Sequence, residues 1–280
     1  MRLGKRARAT ISSALAYVFL TVGGIVILIP LAWMVSTSLK DPGRVFQHPP
    51  QWIPNPVMWS NYPRGMTLYP FVTFFANTAK ITILSALGAV ISSSVVAYSF
   101  ARLRWSGRDV IFLLVLASMM LPSQVTLIPH FVIYRVLGWY DTHNPLIVPH
   151  WFAGSFFVFL LRQYMMTIPS ELDDAALIDG CSRFSIFPRI ILPLAKAPIA
   201  SVAIFSMQWS WNDFFGPLIY LGSREKWTVA LGLRALTTMF YADWTALMAV
   251  STLSLLPIML MFTLAQRYFI QGVVFTGLKG

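Results

Sequence analysis

The residues able to do chemistry are few and bunched. Of ten carboxylates in 280 residues, three fall within residues 173–179, in the run DDAALIDG, and Glu171 stands just before them. The only cysteine, Cys181, follows at once. Asn212 and Asp213 interrupt an apolar run, flanked by Trp209, Trp211, Phe214 and Phe215. Gln124, with Ser123 and Thr126, follows Pro122 in another. No nucleophile–base set is visible among these. The histidines and Cys181 lack metal-ligand spacing. No G-x-x-x-x-G-K-[ST] loop is present to cradle a phosphate. The chain is therefore expected to hold no metal and to bind no ATP itself. A lone cysteine excludes an intrachain disulfide, and Cys181 reads as a small packing residue.

The elements that must position these groups are apolar. Hydrophobic residues make up 57% of the chain and charged residues 11%, where a soluble domain carries about a quarter charged. A membrane is the expected solvent. The net charge of +11 does not point to nucleic acid, because the basic residues cluster beside apolar runs rather than on a surface domain. No charge falls between Arg8 and Lys40, nor within residues 81–101, 110–134, 142–161 and 244–266; residues 197–221 are broken only by Asp213. A crossing needs about 20 such residues, so six spans are expected. The first is too long for a signal-peptide core and lacks a small-residue cleavage site, so it is expected to be a retained helix over 11–39. With the N-terminus inside, 13 Lys and Arg lie on the inner side and 8 on the outer, which favours cytoplasmic termini, residues 1–10 and 271–280. Residues 40–70 hold seven prolines. That density opposes helix and central strand, and an extended external loop packed on helix ends is expected. The 71–270 core then carries five spans and a cytoplasmic segment at 169–194. Ala89, Ser93 and Ala97 repeat at four-residue steps, a small-residue face for close helix packing.

In that segment Ser170 can cap a helix with Asp173 as reciprocal partner. Glu171, Asp173 and Asp174 suit the positive end of its dipole, and Gly180 suits the left-handed position that ends it. A helix over 171–179 follows, then a second one capped by Ser182, with Phe184, Phe187 and Ile191 on one face. Ala175 and Ala176 leave a flat face, and Arg189 adds a cation. Two uses fit: a docking element for a soluble partner, or an amphipathic hairpin on lipid, which its carboxylates disfavour. Asn212 and Asp213 with Trp211 suit a polar pathway lining or helix-end packing in an aromatic belt. Gln124 suits the pathway, or a backbone carbonyl freed by Pro122. His143 and His150 read as interfacial.

The segment resembles the EAA loop of binding-protein-dependent ABC importer permeases. That pattern, E-A-A, three residues, G and then I-x-L-P, reads here Asp174-Ala175-Ala176, Leu177-Ile178-Asp179, Gly180 and Ile190-Ile191-Leu192-Pro193. Asp174 stands for the usual Glu and keeps the charge. SLKDPGRVF, PPQWIPNP, AYSFARLRWSGRD, LPSQVTLIP, FLLRQYMMTIPSEL and SWNDFFGPLIYL resemble, in order, the carbohydrate branch, in particular the smaller permease of maltose-type systems. The resemblance implies an all-α, six-span type I importer fold in a bacterial or archaeal plasma membrane, with no catalytic residues. It implies a coupling helix seated in an ATPase dimer that binds ATP and Mg, a second homologous permease, and an external solute-binding protein. It places Arg224, Lys226 and Trp227, or the 237–241 region, toward that binding protein. The implied cargo is a sugar. A permease of this type for a polyol, peptide or amino acid, and an ion-coupled secondary transporter, are the alternatives.

Overall fold

The computed structural model describes residues 5–237 and 242–274, and among them the chain is helical with no sheet. It divides into two units, residues 1–69 with 233–254, and residues 70–232 with 255–280. Residues 233–254 thus group with the N-terminal part. The tail residues 1–4 and 275–280 lie outside the described residues, as do 238–241.

In the first unit, α1 (Lys5–Ser38) leaves Phe19, Leu20 and Ile27 exposed, as a lipid-facing helix does. Its C-terminal carbonyls lack helical partners, and Asn61 supplies them. The Asn61 amide donates to the carbonyls of Ser38 at 2.9 Å and Lys40 at 2.7 Å. The proline-rich loop is therefore packed on the helix end, as expected, with Trp52 edge-on to Trp33 at 4.9 Å and Lys40 over Trp33 at 3.6 Å. It is not wholly extended: α2 (Asn61–Leu68) forms within it. Pro63 falls in the first turn, where its missing N–H is no loss. Arg64 grips Asp243 with two hydrogen bonds, at 2.8 and 2.9 Å.

The second unit is built on α3 (Phe71–Arg102). Ala89, Ser93 and Ala97 are buried along it, as their spacing predicts. Gly88 lets Trp151 rest on the helix: a Cβ there would sit 2.4 Å from the indole. The third apolar run is not one span. It forms α4 (Arg108–Ser118, 11 residues) and α5 (Ser123–Val136, 14 residues), each short of a crossing. The break falls at residues 119–122: Pro122 has no N–H to donate and disfavours a helical residue before it. The chain continues through α6 (Asn144–Ile147) and α7 (Ser155–Met165), then α8 (Glu171–Ile178), α9 (Arg183–Ile186) and α10 (Leu192–Leu194). α11 (Lys196–Asn212) stops before Asp213, and α12 (Phe215–Tyr220) and α13 (Val229–Ala235) precede α14 (Trp244–Val274). Among the described residues, four helical stretches are long and apolar enough to cross a membrane. A fifth crossing arises if Arg183–Leu194 and Lys196–Asn212, bent by 79°, form one. Of the six expected spans, then, the third is broken and the fifth is bent.

Candidate functional site

The acidic run folds into α8, and Gly180 ends it with φ +82°. Cys181 N–H donates to the Ala176 carbonyl and Gly180 N–H to that of Leu177, the paired closure that a left-handed glycine permits. The expected capping box is absent. Ser170 keeps helical dihedrals and makes no side-chain cap, whereas capping needs an extended residue. Asp173 turns instead toward Arg102, 3.6 Å away, in a pair 17% and 7% exposed. Burial lifts the Asp173 carboxyl above its usual range; Arg102 opposes this and Asp174 adds to it.

Ser182 does cap α9, accepting from Ser185 N–H at 3.2 Å. The shared face of Phe184, Phe187 and Ile191 does not form. Pro188 has no N–H for a regular turn, so residues Phe187–Ile191 make a wide, π-type turn. It leaves Phe184 83% exposed, lays Phe187 on the Tyr98 ring at 4.9 Å and buries Ile191. Glu171, Asp174, Ala175, Asp179 and Arg189 are exposed, while Ala176 packs into the core. The expected flat face of two alanines is therefore divided, Ala176 inward and Ala175 outward.

Two residues beneath this surface fall within the run AYSFARLRWSGRD, where neither was singled out. Tyr98 donates to the Arg183 carbonyl at 2.7 Å, and Arg102 to that of Ile168 at 2.8 Å. Four apart on α3, they share a face and tie α9 and the lead into α8 to one helix end. Their place in that run, as polar side chains closing an apolar stretch, was the sequence signal.

At the other end of α11, Asn212 and Asp213 line a cleft of about 520 Å³ with His150, Gln208, Trp209 and Thr228. Asp213 accepts from Gly216 N–H at 3.1 Å, and the Asn212 amide donates to the Gln208 carbonyl at 2.8 Å. His150, read as interfacial, belongs to this cleft. Trp211 does not: it lines a separate apolar hollow with Phe75, Met207 and Met261. Gln124 is exposed on α5 and is not among the cleft residues.

Residues 89–274 match the family of binding-protein-dependent transport system inner membrane components. The chain belongs to that family. The permease is 32% identical over 280 residues to a probable ABC transporter permease protein, YurM, of Bacillus subtilis, covering 98% of this chain and 91% of the relative. It is 37% identical over 208 residues to the arabinooligosaccharide transport system permease protein AraQ of Halalkalibacterium halodurans, 74% of each chain. Its fold matches a bacterial ABC transporter involved in importing the acidic polysaccharide alginate, with a TM-score of 0.82 at 23% identity over 96% of this chain and 99% of the other. It is a multi-pass membrane permease subunit and not an enzyme.

The permease also carries a clasp at residues 139–143 and 222–227. Asp141 accepts from the Gly222 and Ser223 amides, the Ser223 hydroxyl and the Lys226 ammonium. These bonds, Ser223 foremost, hold its carboxyl far below the usual range. His143 Nε2 lies 2.9 Å from the Lys226 carbonyl, so the ring donates there. Asn77 holds the carbonyls of Glu225 and Trp227. Lys226 and Trp227 are thus engaged within the chain, and Arg224 is the exposed member of the three expected contacts. A depressed folded pKa gives stability that is complete above the unfolded value, near 4, and fades as pH falls through it toward the folded one. Asp141→Asn is therefore expected to raise amide exchange at Gly222 and Ser223 about tenfold at neutral pH, for a loss near 1.4 kcal/mol. In the parent chain the same loosening should begin only below about pH 4.

Proposed function

We propose that this permease serves an ATP-driven importer, passing a carbohydrate delivered by an external binding protein, and that α8 with α9 is the surface on which a separate ATPase dimer docks. The observation that carries this is the exposure of Ile178 and Phe184, 87% and 83%, on a segment fixed from beneath by Tyr98 and Arg102. Exposed apolar anchors on a held surface are what a partner cleft fills. ATP and Mg belong to that partner. A push on α8 passes through α9 and α10, round the 79° bend, and along α11 to the Asn212–Asp213 cleft. The likeness to an arabinooligosaccharide permease supports a sugar as cargo. The distribution of Lys and Arg supports cytoplasmic termini, with Arg224 facing the binding protein outside. A second, homologous permease completes the pathway.

Ile178→Asp tests the docking surface without touching the core. In proteoliposomes of the assembled importer, uptake of a neutral oligosaccharide should fall tenfold or more, on the order expected for a lost anchor. The partner permease should stay bound while the ATPase dissociates. Full uptake with the ATPase retained would remove α8 as its seat.

A further inference from the structure

The cleft at the end of α11 has a chemical character of its own. Its ionisable lining consists of Asp213, His150 and Tyr220, with no Lys or Arg among the described residues. Its neutral polar groups come from Gln208, Ser210, Asn212 and Thr228. Thr228 is 3% exposed, and its Oγ1 is buried without a hydrogen-bond partner. A buried hydroxyl left unsatisfied is costly unless something arrives to complete it. Trp209 stacks on Phe157 at 5.1 Å and stays half exposed at the cleft edge. An indole so placed offers an apolar platform beside hydrogen-bonding groups.

We propose that this cleft receives an uncharged, polyhydroxylated solute and turns away anionic ones. The proposal rests on the permease reading and adds the charge of its cargo. Sugar hydroxyls both donate and accept, so they can donate to Asp213 and complete Thr228 in either direction. A carboxylate or phosphate only accepts. It would meet the Asp213 carboxylate with no guanidinium or ammonium to hold it, and such like-charge contact rejects a partner. The shared fold does not decide this point, since the solved neighbour is involved in importing an acidic polysaccharide.

The test uses the assembled importer, with cysteine-free partners, carrying Cys181→Ser and Ser210→Cys. Ser210 lines the cleft. Labelling rates, each divided by that reagent's rate with a free thiol in solution, are compared for a cationic and an anionic methanethiosulfonate, with and without ATP. The cation should react about tenfold faster, the scale of one nearby charge at intermediate dielectric. Asp213→Asn should bring the ratio toward one, and Asp213→Glu should keep it. Maltotriose should slow labelling, and trigalacturonate should not. Equal rates, or equal protection by trigalacturonate, would overturn the charge selection, while ATP-dependent labelling would leave the permease reading intact. A cysteine unreactive in every nucleotide state would overturn the cleft as a solute site.

Discussion

Replacing Arg102 by alanine is expected to lower uptake by the assembled importer about tenfold while leaving the chain folded in the membrane. Arg102 does two things at once. Its guanidinium holds the Ile168 carbonyl at 2.8 Å and faces Asp173 at 3.6 Å. Without it a largely buried carboxylate is stranded, and its Oδ1 already lacks a hydrogen-bond partner. Removing one member of a buried pair costs about 3–5 kcal/mol. This pair is looser than a hydrogen bond and partly exposed, so about 1–3 kcal/mol is a better scale. The loss falls on the seat of α8 rather than on the core. Arg102→Ala with Asp173→Ala should recover part of the uptake, because no charge is then stranded; a double-mutant cycle in uptake reads the coupling. The sign with pH is also fixed. Burial raises the folded pKa of Asp173, so its native state favours the proton, and stability is lost as pH rises from the unfolded value through the folded one. The Arg102→Ala protein should therefore regain uptake on acidification. Unchanged uptake at all pH values would separate Arg102 from coupling.

Gly88→Val is expected to have the largest effect on stability. A Cβ at Gly88 would lie 2.4, 2.5 and 2.6 Å from Trp151 Cδ1, Nε1 and Cγ. Cγ lies on the χ2 axis, so turning the ring in place relieves nothing, and the indole must leave its χ1 rotamer or the helix must shift. Overpacking costs about 1–3 kcal/mol, and valine adds two methyl groups to the clash, so the upper end applies. Gly88→Ala should do less harm, because alanine gains about 1 kcal/mol of helix propensity over glycine. Trp151→Ala in the same chain should rescue both. Melting in detergent should show Gly88→Val lowered by roughly 6–12 °C, at about 2–4 °C per kcal/mol for a chain of this size. An unshifted transition would show that Trp151 is not seated on Gly88.

The sequence made α8 legible because its signals are local. Three carboxylates stand in the first turn and a glycine sits at the end, and each acts within one turn of helix. Its seat was not legible. Tyr98 and Arg102 reach Arg183 and Ile168 across 85 and 66 residues, and pairing at that range leaves no periodicity. The break at Pro122 and the wide turn at Pro188 follow from missing donors, yet apolar composition alone ran straight through both. Asn212 and Asp213 stood out as polar groups in an apolar run. His150 joined them only when the turn before α7 brought it to the cleft, a tertiary event. Trp211 shows the converse: adjacent in sequence to Asn212, it points to another face because each helical step turns the chain by a large fraction of a circle.

In the function proposed above, α8 seats in an ATPase and moves with ATP. The most direct measurement places a cysteine at Ile178, which is exposed, in the Cys181→Ser protein, with single cysteines around the ATPase cleft of an otherwise cysteine-free complex. A crosslink whose yield changes between nucleotide-free and ATP-bound states is the expected result. No crosslink at any cleft position, in a complex shown to be assembled, would contradict the account and make α8 a hairpin resting on lipid.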